Sequence, residues 1–473
     1  MNPNANPSMK LTRTIAPGMR TYATVWAGQL VSMIGSSLTE FGVAVWVFQT
    51  TGSATAFGAI LLFGMLPGIL VSIVAGAAVD RWDRRRTMIL ADTGAAVATL
   101  TIAIGYLAGS LELWHVCAAT AFSATMRAFQ QPAWAATTSL LVPEEHLGRA
   151  SGLMNFARSS AQIAGPLLGG VLVLTVGLGG VILIDFATFG VAVLMLMAVR
   201  FPPVPRSAEG KAAKGSLLRE AGHGWKYIAR HRPLRVHLGY FTLINMGLGF
   251  VWVLFPPLVL SFTNPAGLGT VGSFVGFGML AGSTAMTVWG GPRRRVRGIL
   301  GVGFLAGACV VLLAARPSAP LVAAALFGIC VGFPILNGCF FRIWLPRIPA
   351  DLQGRTIAAI QVMAWSAQPI AYLSAGPLAD RVFKPLMMPG GALAGSVGAV
   401  IGTGPGRGIA LLLACAGLFV LSATAVAALI PDFRNAEDTV PLAVPQPAAA
   451  PAADESAEAP GEDVPAAPAP VPA

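Results

Sequence analysis

Uncharged, apolar stretches about as long as a bilayer is thick recur along the whole chain, separated by short polar segments. A helix needs roughly 20 such residues to cross the hydrocarbon, where every backbone polar group must be bonded internally. Twelve spans are expected, at 24–49, 55–79, 87–109, 112–136, 151–174, 178–199, 236–261, 268–290, 297–315, 319–341, 356–380 and 406–430. Only 11% of residues are charged, against about a quarter in a soluble domain. Most of the surface therefore cannot face water, and the fold class is an all-α membrane protein.

The net charge of +11 would suggest a nucleic-acid partner in a soluble chain. Here the basic residues lie in short loops, where they mark orientation instead. With a cytoplasmic N-terminus, 25 of the 31 Lys and Arg fall on the inner side and 4 on the outer, and the others, Arg127 and Arg158, lie within spans. Both termini are thus expected in the cytoplasm, with the protein a multi-pass component of the cell (inner) membrane. Residues 1–23 are polar and basic, without the pattern of a cleavable signal. Residues 200–235 form a basic linker between an N-terminal half, 24–199, and a C-terminal half, 236–430. The Pro/Ala/acidic stretch 431–473 is expected to be a disordered tail.

An internal repeat supports the two halves. PEEHLGRASGLMNFARSSAQ at 143–162 matches PADLQGRTIAAIQVMAWSAQ at 349–368; Pro143, Gly148, Arg149, Ser160, Ala161 and Gln162 recur as Pro349, Gly354, Arg355, Ser366, Ala367 and Gln368. Parallel duplication of a six-span unit places a substrate site between the halves at mid-membrane. One chain already holds both halves, so a monomer is expected to function.

The loop between spans 2 and 3 reads Gly76-Ala-Ala-Val-Asp80-Arg81-Trp-Asp83-Arg84-Arg85-Arg86. Gly76 permits close helix approach, while Asp80 and the arginines can form an ionic latch at the inner face, joined by Asp92 at the start of span 3. The segment is similar to the cytoplasmic signature of the major facilitator superfamily, Gly-x-x-x-Asp-Arg-x-Gly-Arg-Arg, with Asp83 where glycine is usual. Its second-half counterpart, Gly290-Gly291-Pro-Arg293-Arg294-Arg295, keeps the basic run without the aspartate. A plain positive-inside loop explains the arginines but not the Gly76–Asp80–Arg81 spacing. In span 5, Gly152, Ala161, Gly165-Pro166 and Gly169-Gly170 resemble the antiporter signature of that superfamily's proton-coupled exporters, with Ala161 replacing a glycine. Glycines so spaced allow close packing, and the proline removes a backbone hydrogen bond. A structural Gly/Pro kink is the alternative reading; the resemblance implies export.

Ionisable groups within spans are functional candidates, because a charge at the bilayer centre costs roughly 2.5–3.5 kcal/mol even on insertion scales. Arg127, in Arg127-Ala-Phe-Gln130-Gln-Pro132, resembles the fourth-span Arg-x-x-Gln signature associated with proton coupling, with Gln131 where glycine is usual. By helical rise Glu40 of span 1 lies at a depth about 7 Å from that of Arg127. Glu40 is expected to take the proton and Arg127 to hold its affinity in a useful range; a structural ion pair is the alternative. Arg158, Asp185 and Asp380 are weaker candidates, with structural pairing favoured for each. Gln130, Asn155, Gln162, Asn245, Asn337, Gln361 and Gln368 are candidate neutral groups lining the cavity, with Trp252, Phe255, Phe333 and Trp365 as aromatic walls.

The five cysteines fall in apolar stretches without metal spacing, and no phosphate-binding Gly-x-x-x-x-Gly-Lys-Ser/Thr loop is present. Neither a cofactor nor a metal is expected, and ATP is not the energy source. No nucleophile–base constellation marks an enzyme. The resemblance covers approximately residues 20–430. Gln29 to Ser37, Thr51-Gly52-Ser53 and Gly165-Pro166 look like the macrolide and siderophore exporter branch, and 376–408 resembles exporters found beside nonribosomal peptide synthetases. This implies a siderophore, peptide-like metabolite or drug as cargo, exchanged for protons, with membrane lipids as surroundings and no nucleic-acid partner. A lipid or lysolipid flippase, or a solute importer, on the same fold remains open.

Overall fold

The structure, a computed structural model, describes residues 17–143, 146–199, 226–348 and 353–439. Most of the expected basic linker and the tail from 440 onward lie outside the described residues, as do the surroundings of Gly76 and the side chains of Asp80 and Arg81. Among the described residues every regular element is helical. The first half comprises α1 (Pro17–Thr51), α2 (Ala54–Arg81), α3 (Arg84–Leu107), α4 (Leu113–Leu141), α5 (Leu147–Thr175) and α6 (Gly177–Ala198). The second comprises α7 (Arg232–Leu260), α8 (Pro265–Trp289), α9 (Arg295–Leu313), α10 (Ala319–Trp344), the broken pair α11 (Gln353–Trp365) and α12 (Gln368–Pro377), short α13 (Lys384–Met387) and α14 (Val397–Ile401), and α15 (Arg407–Leu429).

Nine of these helices are long and apolar enough to cross a membrane by length and composition among the described residues. The remaining long segments carry the polar groups: α4 has Arg127, Gln130 and Gln131, and α5 has Asn155, Arg158 and Gln162. α11 and α12 are separated by Ser366 and Ala367, with Pro369 at the start of α12, where it contributes no N–H. The outward faces bear Leu90, Ile104, Leu194, Ile370 and Leu373, each well exposed, an apolar surface of the extent that marks a membrane face.

The halves share one packing plan. In the first, α1 packs on α5 and α6, α4 on α2 and α3, and α3 on α6; in the second, α7 packs on α11–α12 and α15, α10 on α8 and α9, and α9 on α15. The repeat holds in register: α4 and α10 start at Leu113 and Ala319, and α5 and α11 at Leu147 and Gln353, each pair 206 residues apart.

The cores differ. The second half is filled by one continuous apolar cluster, from Ile228 to Ala436, which also takes in Val45, Ala54 and Leu62 of the first half. In the first half, one cluster around Val43, Ile102 and Ile182 is separate from another around Met88, Trp134 and Leu196. Between them along the helices come Gln29, Glu40, Asp92, Arg127, Gln130 and Asp185. Polar groups interrupt the packing there and leave room for a cavity.

Two boundaries differ from the expectation. Residues 226–230, placed in the linker, are helical, and α7 starts at Arg232. Residues 431–439, placed in the tail, form two short helices that dock on the bundle: Phe433 is fully buried and stacks on His237.

Candidate functional site

α1 and α4 bring Glu40 and Arg127 together. The Arg127 guanidinium donates to Glu40 Oε1 at 2.7 Å, with Ser123 Oγ at 3.4 Å beneath it. The expected pair therefore forms, and it is partly exposed (59% for the Glu40 side chain) rather than sealed. It borders a cavity of about 400 Å³, within the usual range for small-molecule pockets. Thr39, Thr99, Ser123 and Asp185 supply further polar groups, and Phe57, Phe189, Trp365 and Tyr372 supply aromatic walls. All but the last two come from the first half; Trp365 and Tyr372 reach in from the broken α11–α12 segment.

Deeper toward the basic end of the bundle lies a buried amide–carboxylate cluster. Asp92 accepts from Gln29 Nε2 at 3.0 Å and from Gln130 Nε2, which also donates to Gln29 Oε1 at 2.8 Å. Asp92, expected in the inner latch, is instead buried here (1% exposed), because it sits more than two turns into α3. Of the latch arginines, Arg85 donates to the Leu196 and Met197 carbonyls at 2.9 and 2.6 Å. It thus caps the end of α6, where a cation suits the helix dipole. Asp83 caps α3 in extended backbone and accepts from Arg86 N, so no glycine is required at that turn.

The glycines of span 5 have definite partners. A Cβ on Gly165 would lie 1.9 Å from Ser37 Oγ and one on Gly169 2.9 Å from the Phe41 ring, so both hold α5 against α1. Gly170 faces Pro265 and Gly269 of α8, where a Cβ on Gly269 would meet the Pro166 carbonyl oxygen at 2.2 Å. Ala161 is buried, whereas Gly152 has open space around it and packs against nothing within 4 Å.

Among the described residues this α5–α8 crossing is one of two main seams joining the halves; the other is α2 on α12, with α7 beside it. There Gly376 lies against Thr55, and Gly58 against the Tyr372 carbonyl. Asp380 accepts from Ser53 Oγ (2.7 Å), Ala54 N (3.2 Å), Thr55 N (2.9 Å) and Thr55 Oγ1 (2.8 Å), capping α2 from the opposite half. Both seams lie at the end of the bundle away from Arg84–Arg86 and Arg293–Arg295. Toward the basic end Asn155, Arg158 and Gln361 are exposed, and so are Gln162 and Trp365 at mid-span. The molecule is closed at one end and open at the basic end.

The remaining candidates are scattered. Asn245 and Asn337 donate to carbonyls of their own helices (Phe241 and Phe333) beside a smaller pocket within the second half that Trp365 also borders. Gln368 is buried, with Oε1 unpartnered. Trp252 packs edge-on to Phe255 against the second-half core. Arg158 donates to Gln131 rather than to an acid. Sequence reasoning ranked Asp185 low, yet it lies in the main cavity with Thr39 and Thr99. Its position opposite Glu40 depends on how α6 packs on α1, which no local pattern announces.

Residues 25–372 match the sequence profile of the Major Facilitator Superfamily. The chain is 27% identical over 375 residues to Macrolide efflux protein A of Streptococcus pyogenes, covering 76% of this chain and 90% of that protein. It is 29% identical over 350 residues to Multidrug efflux pump Tap of Mycobacterium tuberculosis (strain ATCC 25618 / H37Rv), covering 71% and 81%. Among solved structures, a bacterial homolog of the human lysosomal transporter Spinster, inward-facing and unoccupied, aligns with TM-score 0.69 at 13% identity, over 89% of this chain and 97% of that one. Nucleoside transporter NupG aligns with TM-score 0.64 at 11% identity, over 86% and 99%. At such identities the two structures share the fold.

Proposed function

This chain belongs to the Major Facilitator Superfamily, and we infer that it exports a small amphipathic compound by alternating access in exchange for protons. It is a multi-pass membrane transporter rather than an enzyme. The positive-inside rule makes the basic end cytoplasmic. The cavity then opens to the cytoplasm of a cell whose inner membrane holds both termini inside, and the two seams close the outer side. The chain works as a monomer, because both halves of the transport unit lie within it.

The observation that carries the reading is the Glu40–Arg127 pair on the cavity wall, 2.7 Å apart. An ion pair within a membrane bundle is costly to keep without use. A carboxylate facing both cargo and water can exchange its proton for either. In the outward state Glu40 takes a proton and releases Arg127; in the inward state the proton leaves to cavity water, the ion pair re-forms and cargo enters. The aromatic walls suit an amphipathic cargo, and the likeness to macrolide and multidrug efflux proteins supports export of a drug or a siderophore- or peptide-like metabolite.

The test is flux in reconstituted vesicles under an imposed pH gradient. Wild-type protein is expected to accumulate cargo against its concentration gradient, and Glu40→Gln to accumulate markedly less while keeping cargo-for-cargo exchange. Full gradient-driven transport by Glu40→Gln would end the reading. Tight binding of labelled lysolipid, with transport indifferent to the pH gradient, would move the assignment to a flippase.

A further inference from the structure

Among the described residues, Glu40, Asp92, Asp185 and Asp380 are the acids that face the interior of the bundle or its seam, and three of them sit among groups that suit a negative charge. Glu40 has Arg127, Asp92 has the amides of Gln29 and Gln130, and Asp380 has the donors at the start of α2. Asp185 differs. It is 1% exposed, lies on the floor of the cavity, and has no cationic partner among the described residues.

Its surroundings are hydroxyls at the limit of hydrogen bonding: Thr99 Oγ1 at 3.4 Å and Thr188 Oγ1 at 3.5 Å. The Thr188 hydroxyl is already committed to the Asp185 carbonyl at 2.7 Å. Thr39 faces the same carboxyl, and its buried hydroxyl makes no hydrogen bond to another group. From α1, Glu40 adds a second negative charge acting through space. On α3 the nearest titratable side chains, Asp92 and Tyr106, lie seven residues to either side of Thr99, about two helical turns away. On α5, Arg158 is turned to Gln131. A buried carboxylate needs strong donors or a cation, whereas a carboxylic acid is served by hydroxyls, which can both donate to its carbonyl and accept its proton. The pocket is also kept open for this group: a Cβ on Gly35 would fall 2.8 Å from Asp185 Oδ1 and 2.1 Å from Thr188 Oγ1.

We propose that Asp185 is the second proton-exchanging acid of the cavity. It keeps its proton in the inward-open state, after Glu40 has released its own and paired with Arg127, and gives it up when cargo arrives. The proton passes from the Asp185 carboxyl to cavity water beside Thr39 and Thr99, and the carboxylate left behind faces a cationic group of the cargo. Each cargo molecule is then exchanged for two protons, one per acid. This rests on the antiport reading above, and the two fail separately.

Two measurements on the full chain in lipid decide it. Infrared difference spectra across a pH change record the carbonyl stretch of protonated carboxylic acids. A band is expected that persists in Glu40→Gln and Asp92→Asn and vanishes in Asp185→Asn. Isotope-labelled aspartate must shift it in the wild type, a control that needs no variant to fold. Absence of the band, or its survival in Asp185→Asn, overturns the proposal. The second measurement follows ethidium, whose charge is fixed, under a one-unit pH gradient with the membrane potential clamped at zero. Because each exchanged proton contributes a factor of about 10 per pH unit, the accumulation ceiling is about 100-fold in the wild type and about 10-fold in Asp185→Asn. A wild-type ceiling near tenfold, or an unchanged ceiling in the variant, also overturns it. If the band persists but wild-type transport ignores the gradient, the antiport reading fails, and Asp185 is a resident acid that exchanges nothing.

Discussion

Arg127 is held from two sides, by Glu40 on α1 and by Ser123 one turn earlier on α4, so its guanidinium is a positioned group rather than a free charge. Lysine keeps the charge but offers a compact ammonium in place of the fork. Arg127→Lys is therefore expected to retain part of the gradient-driven flux, and Arg127→Ala to lose it, in vesicles loaded with equal amounts of each protein. Equal flux in all three would remove Arg127 from the coupling. This pair was legible in the sequence because intramembrane charges are rare and their depths can be counted along helices. Asp92 was assigned to the wrong neighbourhood: its partners Gln29 and Gln130 lie on two other helices, and a count along α3 alone does not reveal that they converge. The span-5 glycines were legible as a motif, but their partners in α8 were not. Gly269 is one of six glycines in that helix, and only the crossing shows that it meets Pro166.

Both seams rest on close backbone contact at glycines, and they differ in what is added to it. At α5–α8 backbone meets backbone, so nothing flexible can give way; a Cβ on Gly269 strikes a carbonyl oxygen at 2.2 Å. Overpacking of this sort costs about 1–3 kcal/mol. On the alternating-access reading this seam is made in the inward-open state and must part for the outward one, so Gly269→Val is expected to shift the population outward by about tenfold or more. At α2–α12 backbone also meets backbone, at Gly376–Thr55 and Gly58–Tyr372, and an electrostatic contact is added. Asp380 sits where the first N–H groups of α2 converge, a natural anion site, and it comes from a π-helical turn at Leu378–Phe383, the local irregularity that often accompanies function. Asp380→Asn keeps the shape but removes the charge, and the outer seam should loosen. The readout for both variants is labelling of Tyr372→Cys, which lies beside Gly58, by a membrane-impermeant thiol reagent added outside. Faster labelling in each variant is expected; an unchanged rate would mean that the seam does not set the conformational balance.

Alternating access needs each half to move as a body, and the two halves secure their rigidity differently. The first is divided by its cavity and leans on polar contacts between clusters. The second is one apolar core, completed at the basic end by residues 431–439, which clamp three helices. Asp432 pairs with Arg232 of α7 at 2.7 Å, Glu437 accepts from Val296 N of α9 at 2.8 Å, and the Glu437 carbonyl accepts from Arg347 just after α10 at 2.5 Å. Phe433 fills the space between, 4.0 Å from His237 ring to ring and 5.1 Å from Tyr240. The all-helical membrane fold, its duplication and the two-half plan were legible because bilayer thickness imposes a length on every crossing. This clamp was not, since one aromatic in a polar, proline-bounded stretch shows no period and earns its burial only from helices far away in sequence. Removing a buried Phe costs about 3–5 kcal/mol, so Phe433→Ala should lower the Tm of the detergent-solubilised protein by several degrees. The same variant separates rigidity from coupling. If the second half rocks as one body, loosening the clamp slows cargo exchange and gradient-driven flux by the same factor, since both need the rocking step and only one needs the proton. A loss confined to gradient-driven flux would instead tie the clamp to proton handling and contradict its role as a brace.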